Sequence, residues 1–402
     1  MTNSVDAMKP TYWSDRFQAN LRVKNIAREI TSNEEQSSLF NGKTVNRPTI
    51  GRATIGSVGA DGAFSSNAVV STQESLTINQ HQYASFAITA AEMVQLKTAP
   101  RVVNEMIDDG AYQLNLALDR SVFGEYVNAG NTATPSTTSG RLDNAYNSLQ
   151  SAHTTLRNAG VERSKPWFML LDATGTEDIQ REIGARATQL GDKEQANGFG
   201  YFMDFAGFHV YEANQSLTFT NEVTFGAAVS NGDTLILDGV TFTFVSSIGS
   251  TAGNVLIGAN AAASAANLAT LINAPTVTTS TGVALTTANA AKFATLGQAL
   301  ITAVSAAAKV DLTSIKGRIA TSETFTSGSN GLVDAYLQCL YGKKGCIDLV
   351  IQKDISTETE SMVGAGKLAT VYATHFLWGK KMFTEGVERS GVLKLLTQAN
   401  TI

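Results

Sequence analysis

From Pro100 to Gly130, apolar residues recur every three or four positions: Val103, Ile107, Ala111, Leu114, Leu118, Val122 and Tyr126. That spacing predicts a helix burying one face, roughly 40 Å long at 1.5 Å per residue. A second set (Val102, Met106, Leu116, Phe123) widens the stripe beyond what a surface helix needs. Thr98 or Ala99 suits the cap, Pro100 the first turn and Gly130 the stop. Gly110 inside it costs about 1 kcal/mol relative to Ala, which predicts a kink or a close contact there.

Other patterns surround this helix. Tyr12 to Ile30 reads as an amphipathic helix. Lys43 to Ile50 is strand-like, demoted to an edge by Pro48, and Ala68–Asn79 and His81–Thr89 return as extended segments across a glycine-rich tip. The prediction is a long β arm feeding the helix. Helices at Leu142–Ala159 and Thr176–Leu190 then alternate with strands at Trp167–Leu171 and Phe199–Ala213, a mixed α/β lobe. Near the end, Leu332–Leu340 reads as a short helix and Cys346–Gln352 as a buried strand. Lys367–Trp378, Lys381–Val387 and Val392–Thr397 read as strands closing a sheet.

Composition shifts sharply between Ser216 and Asn330. That stretch lacks Tyr, Trp, Met, Cys and His, and its charges are Glu222, Asp233, Asp238, Lys292, Lys309, Asp311, Lys316, Arg318 and Glu323. Asn231 to Ser247 reads as a hairpin turning at Asp238-Gly239. Alanine-rich helices are expected at Ala259–Asn273 and Asn289–Ala308, with Leu268, Leu271 and Ile272 on one and Phe293, Leu296, Leu300 and Val304 on the other. Such a change inside a chain predicts a module inserted into a host fold, semi-autonomous and joined by two neighbouring strands.

The order of these parts resembles the tailed-bacteriophage major capsid protein, the Hong Kong phage capsid fold. GKTVNRP is similar to the rising strand of that family's extended loop, and ESLTINQHQYASFAI to its return. AEMVQLKTAPRVVNEMIDDGAYQLNLALDRSVFGEYVNAG resembles the approach to the spine helix and the helix itself. FGYFMDFAGFHVYEA resembles axial-domain strands, and FLWGKKMFTEGVERSGVLKLL the strands that end the chain. The resemblance implies an α+β fold in which an N-terminal arm with helix (1–42) leads into an extended β loop (43–80) and a peripheral domain with the spine helix (81–140). The first part of an axial domain (141–215), an inserted surface domain with β/α character (216–330), the axial return (331–352) and peripheral strands with the C-terminus (353–402) follow.

It also implies a non-enzymatic subunit that self-assembles into pentamers and hexamers of an icosahedral shell enclosing double-stranded DNA, in a virion assembled in the host bacterial cytoplasm. Implied partners are further copies of the chain, a separate scaffolding protein, a portal at one vertex and decoration proteins. The alternative is a tail or decoration component sharing the inserted module. Inter-subunit contacts are expected from the extended loop through Lys43, Arg47, Arg52, Asp61 and Glu74.

Charge and chemistry fit this reading. A net charge of −5 argues against a protein that grips nucleic acid by neutralising phosphates, so DNA would be enclosed without sequence-specific binding. MTNSVDAMKP lacks a signal-peptide core, and Phe293–Val310 is too rich in Ala, Thr and Ser to be read as a membrane span. Cys339 and Cys346 sit at neither a zinc-knuckle nor a disulfide-framework spacing. His81, His153, His209 and His375 stand apart in sequence, and no HExxH, paired CxxC or phosphate loop occurs. A hydrolase built on Asp172 or His209 would need convergent polar groups that the sequence does not assemble. No cofactor, metal or catalytic residue is expected.

Overall fold

The structure is a computed structural model describing residues 25–39, 42–51, 55–58, 60, 62–63, 71–95, 99–133, 141–162, 166–179, 181, 203–205, 207–213, 216–295, 298–365 and 367–396. Most of the helix expected from Tyr12 lies outside them; Ala27–Ile30 forms one helical turn. Strands β1 (Thr44–Ile50), β2 (Ser71–Thr77) and β3 (Gln80–Thr89) form where the extended pattern predicted them. β1 and β2 make an antiparallel ribbon in which Val45 faces Leu76 and Arg47 faces Glu74.

The long helix runs Ala99–Phe123 and tightens into a 3-10 turn, Gly124–Asn128. Its fully buried positions concentrate between Leu114 and Phe123, whereas Met106, expected on the buried stripe, is 41% exposed. Gly130 does more than stop it. A Cβ there would lie 2.5 Å from the Val387 carbonyl oxygen, so the approach of two backbones requires glycine.

Next come β4 (Asn131–Ala133), a helix Arg141–Asn158, and β5 (Trp167–Leu171). The helix expected from Thr176 begins earlier, at 173, because Asp172 caps it: Asp172 Oδ1 accepts from the Gly175 amide at 2.8 Å. Residues 182–190 of that expected helix lie outside the described residues. β6 (Met203–Phe205) and β7 (Phe208–Glu212) turn at Gly207, whose φ is 82°. They lead to β8 (Thr218–Phe225), β9 (Thr234–Leu237), β10 (Val240–Val245) and β11 (Asn254–Leu256).

The hairpin of β9 and β10 turns at Asp238-Gly239 as expected, with φ of 51° and 73°. The first alanine-rich helix, Ala261–Asn273, is capped by Asn260 and buries Leu268, Leu271 and Ile272. The second is not a helix. After one turn, Thr287–Ala290, the chain forms β12 (Ala294–Thr295), β13 (Gln298–Ala299), β14 (Ile301–Ala306) and β15 (Lys309–Ser314). The β14–β15 turn uses Ala307 at φ 51°, so no glycine or asparagine marks it. Phe293 is buried against Phe242, and Val304 is exposed.

β16 (Thr321–Thr324) precedes β17 (Asn330–Lys343), β18 (Asp348–Ser361), β19 (Ala369–Lys381) and β20 (Ser390–Leu396). The helix expected at Leu332–Leu340 is thus the middle of a strand. Leu337, Cys339, Leu340 and Tyr341 are all buried, so apolar residues fall on both faces and the strand lacks a period-two pattern that would separate it from a helix. The strand expected at Lys381–Val387 is instead a helical turn at Thr384–Glu388.

The chain divides into two compact units. One contains Asn79–Asn115 and Lys353–Trp378. In it β19 pairs antiparallel with β3, from Ala369 against Thr89 to Trp378 against Gln80. Gly110 makes the predicted close contact: a Cβ there would sit 3.3 Å from that of Ala84. Phe86 stacks on Tyr372 across the strands, 5.2 Å between ring centres.

The other unit holds Asn25–Ile78, Leu116–Gln352 and the chain from Gly379 onward. Its main sheet runs β14-β15-β8-β17-β5-β7-β6, with β20 paired to β17 and β4 to β20. A four-stranded sheet, β11-β10-β9-β16, belongs to the same unit. β8, β14 and β15, all within 216–330, are therefore hydrogen-bonded into the sheet that contains β5 and β17. Arg318 adds an ion pair to Asp172 at 2.8 Å.

Asp119 ties the end of the long helix to the segment before β1. Its carboxylate accepts from the Ile26 amide at 3.2 Å and the Ala27 amide at 3.0 Å. Burial pushes its pKa up from 3.8 to about 7, against the pull of those two amides. Between those values the folded chain holds a proton that the unfolded chain has released, so this group lowers stability as pH rises through that window. Asp119→Asn removes the charge and keeps one of the two acceptors, its amide nitrogen facing the other main-chain N–H. Thermal melts from pH 4 to 8 should show a flatter profile than the parent's.

Two glycines give a paired test of packing. A Cβ on Gly379 would lie 2.6 Å from the Thr77 carbonyl oxygen and 2.8 Å from Ile78 Cα, atoms that cannot step aside. Gly379→Ala should cost about 1–3 kcal/mol in denaturant melts. Gly110→Ala should be near neutral, because about 1 kcal/mol of helix propensity offsets a contact with one methyl group.

Candidate assembly interface at the β arm

The arm's five expected contact residues separate into three groups. Arg52 and Asp61 lie outside the described residues. Lys43 is exposed, and its carbonyl accepts from the Ile78 amide at 2.8 Å where the ribbon closes. Arg47 and Glu74 face each other across the ribbon on the side that turns toward their own chain.

Arg47 is engaged there three ways. It reaches Asp348 at 3.2 Å and Glu385 at 3.4 Å, and its guanidinium lies 5.2 Å from the centre of the Phe383 ring. Together with Lys343 and Arg389 these groups line a cavity of about 180 Å³. Asp348 is pushed up to about 6, chiefly by burial, with Arg47 pulling it down and Glu34 and Glu35 adding to the rise. Glu74 accepts from both the Thr384 hydroxyl and, at 3.0 Å, the Thr384 amide. The hydroxyl bond is the main cause of its lowered pKa.

The outward side of the ribbon differs. Ile50 is 77% exposed, and at the described positions of the tip Ile55 and Val58 are 100% and 66% exposed. These residues carry no charge, so a contact set defined by charge leaves them out. An unalternated isoleucine in a glycine-rich tip was the signal available.

His81 and His375, far apart in sequence, meet across β3 and β19 at 3.3 Å, and His375 lies 3.1 Å from Glu358. His153 packs against Trp167. Asp172 caps a helix and pairs with Arg318. Both cysteines are free and buried, which pushes Cys346 up to about 12 and Cys339 well above its ordinary value. Among the described residues no group of three or more His, Cys, Asp or Glu could hold a metal, and no helix is long and apolar enough to cross a membrane.

No protein-family model matches the chain, and no curated protein does. Its fold is nevertheless found in solved structures over nearly its whole length. A chain of Mycobacterium phage Che8 matches with TM-score 0.52 at 12% identity, over 98% of this chain and 97% of that one. The capsid structure of cyanophage P-SCSP1u matches with TM-score 0.52 at 11% identity, over 98% and 95%. The head structure of Helicobacter pylori bacteriophage KHP40 matches with TM-score 0.51 at 10% identity, over 99% and 98%. The chain therefore has the tailed-bacteriophage capsid fold, mixed helix and sheet, as its sequence resembled.

Removing Arg47 leaves the nearly buried Asp348 without its cation. Arg47→Ala should destabilise the subunit itself by about 1–2 kcal/mol, a value held down by the partial exposure of the arginine. The loss should be largest above pH 6, where Asp348 is ionised, and should shrink below it. Denaturant melts at pH 5 and 8 measure both.

Proposed function

We propose that the chain is a structural subunit of a tailed-phage head, self-assembling into pentamers and hexamers and then a closed icosahedral shell around double-stranded DNA. The observation that carries this reading is the full-length fold likeness to phage capsid and head structures at TM-scores above 0.5. The arm adds support. Its polar pairs Arg47–Asp348 and Glu74–Thr384 hold its base to its own chain, leaving Ile50, Ile55 and Val58 for a neighbouring copy. Lys43, Arg52 and Asp61 remain candidates for rim contacts.

In this reading a separate scaffolding protein, a portal at one vertex and decoration proteins are the other partners, and assembly takes place in the bacterial cytoplasm. An acidic container suits DNA that must slide in and out, because a lining that neutralised many phosphates would hold it. Residues 216–330 are an insertion, with β8, β14 and β15 built into the body's sheet.

Ile55→Asp combined with Val58→Asp should lower the yield of closed shells at least about tenfold while leaving the subunit's melting temperature unchanged. Sedimentation and negative-stain microscopy of protein co-expressed with a scaffold read both. A parent chain that stayed a compact monomer with its scaffold present would end the shell reading. Normal shells from the variant would end the role of the tip.

A further inference from the structure

Edge strands present unpaired N–H and C=O groups to any chain that approaches them, and a subunit surrounded by its own copies is the extreme case. Three edges of this molecule are already occupied. On β14, the edge of the main sheet, the Ile301 amide donates to the Phe293 carbonyl at 3.1 Å. Two residues on, along the same side of the strand, Ala303 is taken entirely by Asn273: Asn273 Nδ2 donates to the Ala303 carbonyl at 2.7 Å, and the Ala303 amide donates to Asn273 Oδ1 at 2.9 Å.

The first part of β18 repeats the device. The Leu349 amide donates to the Ser32 carbonyl at 2.9 Å. The Ile351 amide then donates to Gln36 Oε1 at 2.8 Å, and Gln36 Nε2 donates to the Ile351 carbonyl at 2.5 Å. On β11, Leu256 donates to Thr281 and accepts from Asn267 Nδ2, each at 2.8 Å.

A carboxamide holds a donor and an acceptor on one planar group, as a peptide unit does. A double bond from it to one residue reproduces what an antiparallel neighbour supplies at a hydrogen-bonded pair. We propose that Asn273 and Gln36 are edge blockers, each occupying the place that a strand of a second copy would take. Strand pairing between copies is thereby confined to edges without such a clamp. Among the described residues, no carboxamide bonds to the backbone of β1 or β2. The geometry stands without the shell reading; its consequence for assembly rests on it.

A plainer role, docking a helix end or loop onto a strand, predicts different behaviour from a charged replacement. Asn273→Asp keeps an acceptor for the Ala303 amide and puts a charge on the edge, which also repels a second strand. The test compares full-length Asn273→Ala and Asn273→Asp with the parent, without scaffold, by amide hydrogen exchange at Ala303 and by sedimentation across protein concentration. The alanine variant should exchange about tenfold faster or more at Ala303 and form concentration-dependent oligomers, while the aspartate variant stays as dispersed as the parent. An alanine variant that exchanges and sediments like the parent overturns the proposal. So does an aspartate variant that associates as readily as the alanine one, since docking alone would then explain both. Should Asn273→Ala fail to fold, Gln36→Ala and Gln36→Glu, read at Ile351, give the same decision at the second edge.

Discussion

The larger unit depends on β17 being paired along both sides. β8 and then β5 occupy one edge, and β20 the other. A strand in that position has its backbone groups taken on both edges, and along its middle Leu337, Cys339, Leu340 and Tyr341 are buried as well. Its neighbours must accommodate it. Tyr341 stands opposite Gly391 of β20, and a Cβ on that glycine would lie 2.3 Å from the tyrosine ring. A register shift between Val333 and Tyr336 lets one strand serve β8 before and after the irregularity.

Most elements readable from sequence have a wet side; β5, buried throughout, was legible instead as a short apolar run. β1 to β3, the helix Arg141–Asn158 and the β9–β10 hairpin each alternate between solvent and protein, so their period is written in residue type. β17 lacks that contrast. The β14–β15 pair failed for a different reason: Ala, Ser and Thr carry weak preferences, and the turn at Ala307 uses a residue that rarely signals positive φ. Long-range pairing overrode an alanine-rich stretch that would otherwise favour helix.

At the arm, sequence marked Arg47 and Glu74 as charges on a ribbon but could not supply their partners. Asp348 lies 301 positions from Arg47, and Thr384 lies 310 from Glu74. Asp119 was readable in principle, as an acid within a run of buried apolar residues on the long helix, and its partners are main-chain amides that no motif announces. Fold order was therefore legible, and the inward engagement of Arg47 and Glu74 with their own chain was not.

The position of β20 along the chain also bears on the route to the native state. β5 appears at residue 167 and β8 at 218, but one edge of each waits for β17, and one side of β17 waits for a strand that starts at Ser390. Pairings separated by so much chain close slowly, because loop entropy must be overcome before any contact offsets it. During synthesis β5 and β8 are therefore the exposed hydrophobic strands. A polypeptide emerging from a ribosome would hold one edge of each unpaired until β17, which starts at Asn330, has been made, the interval in which a chaperone has most to protect.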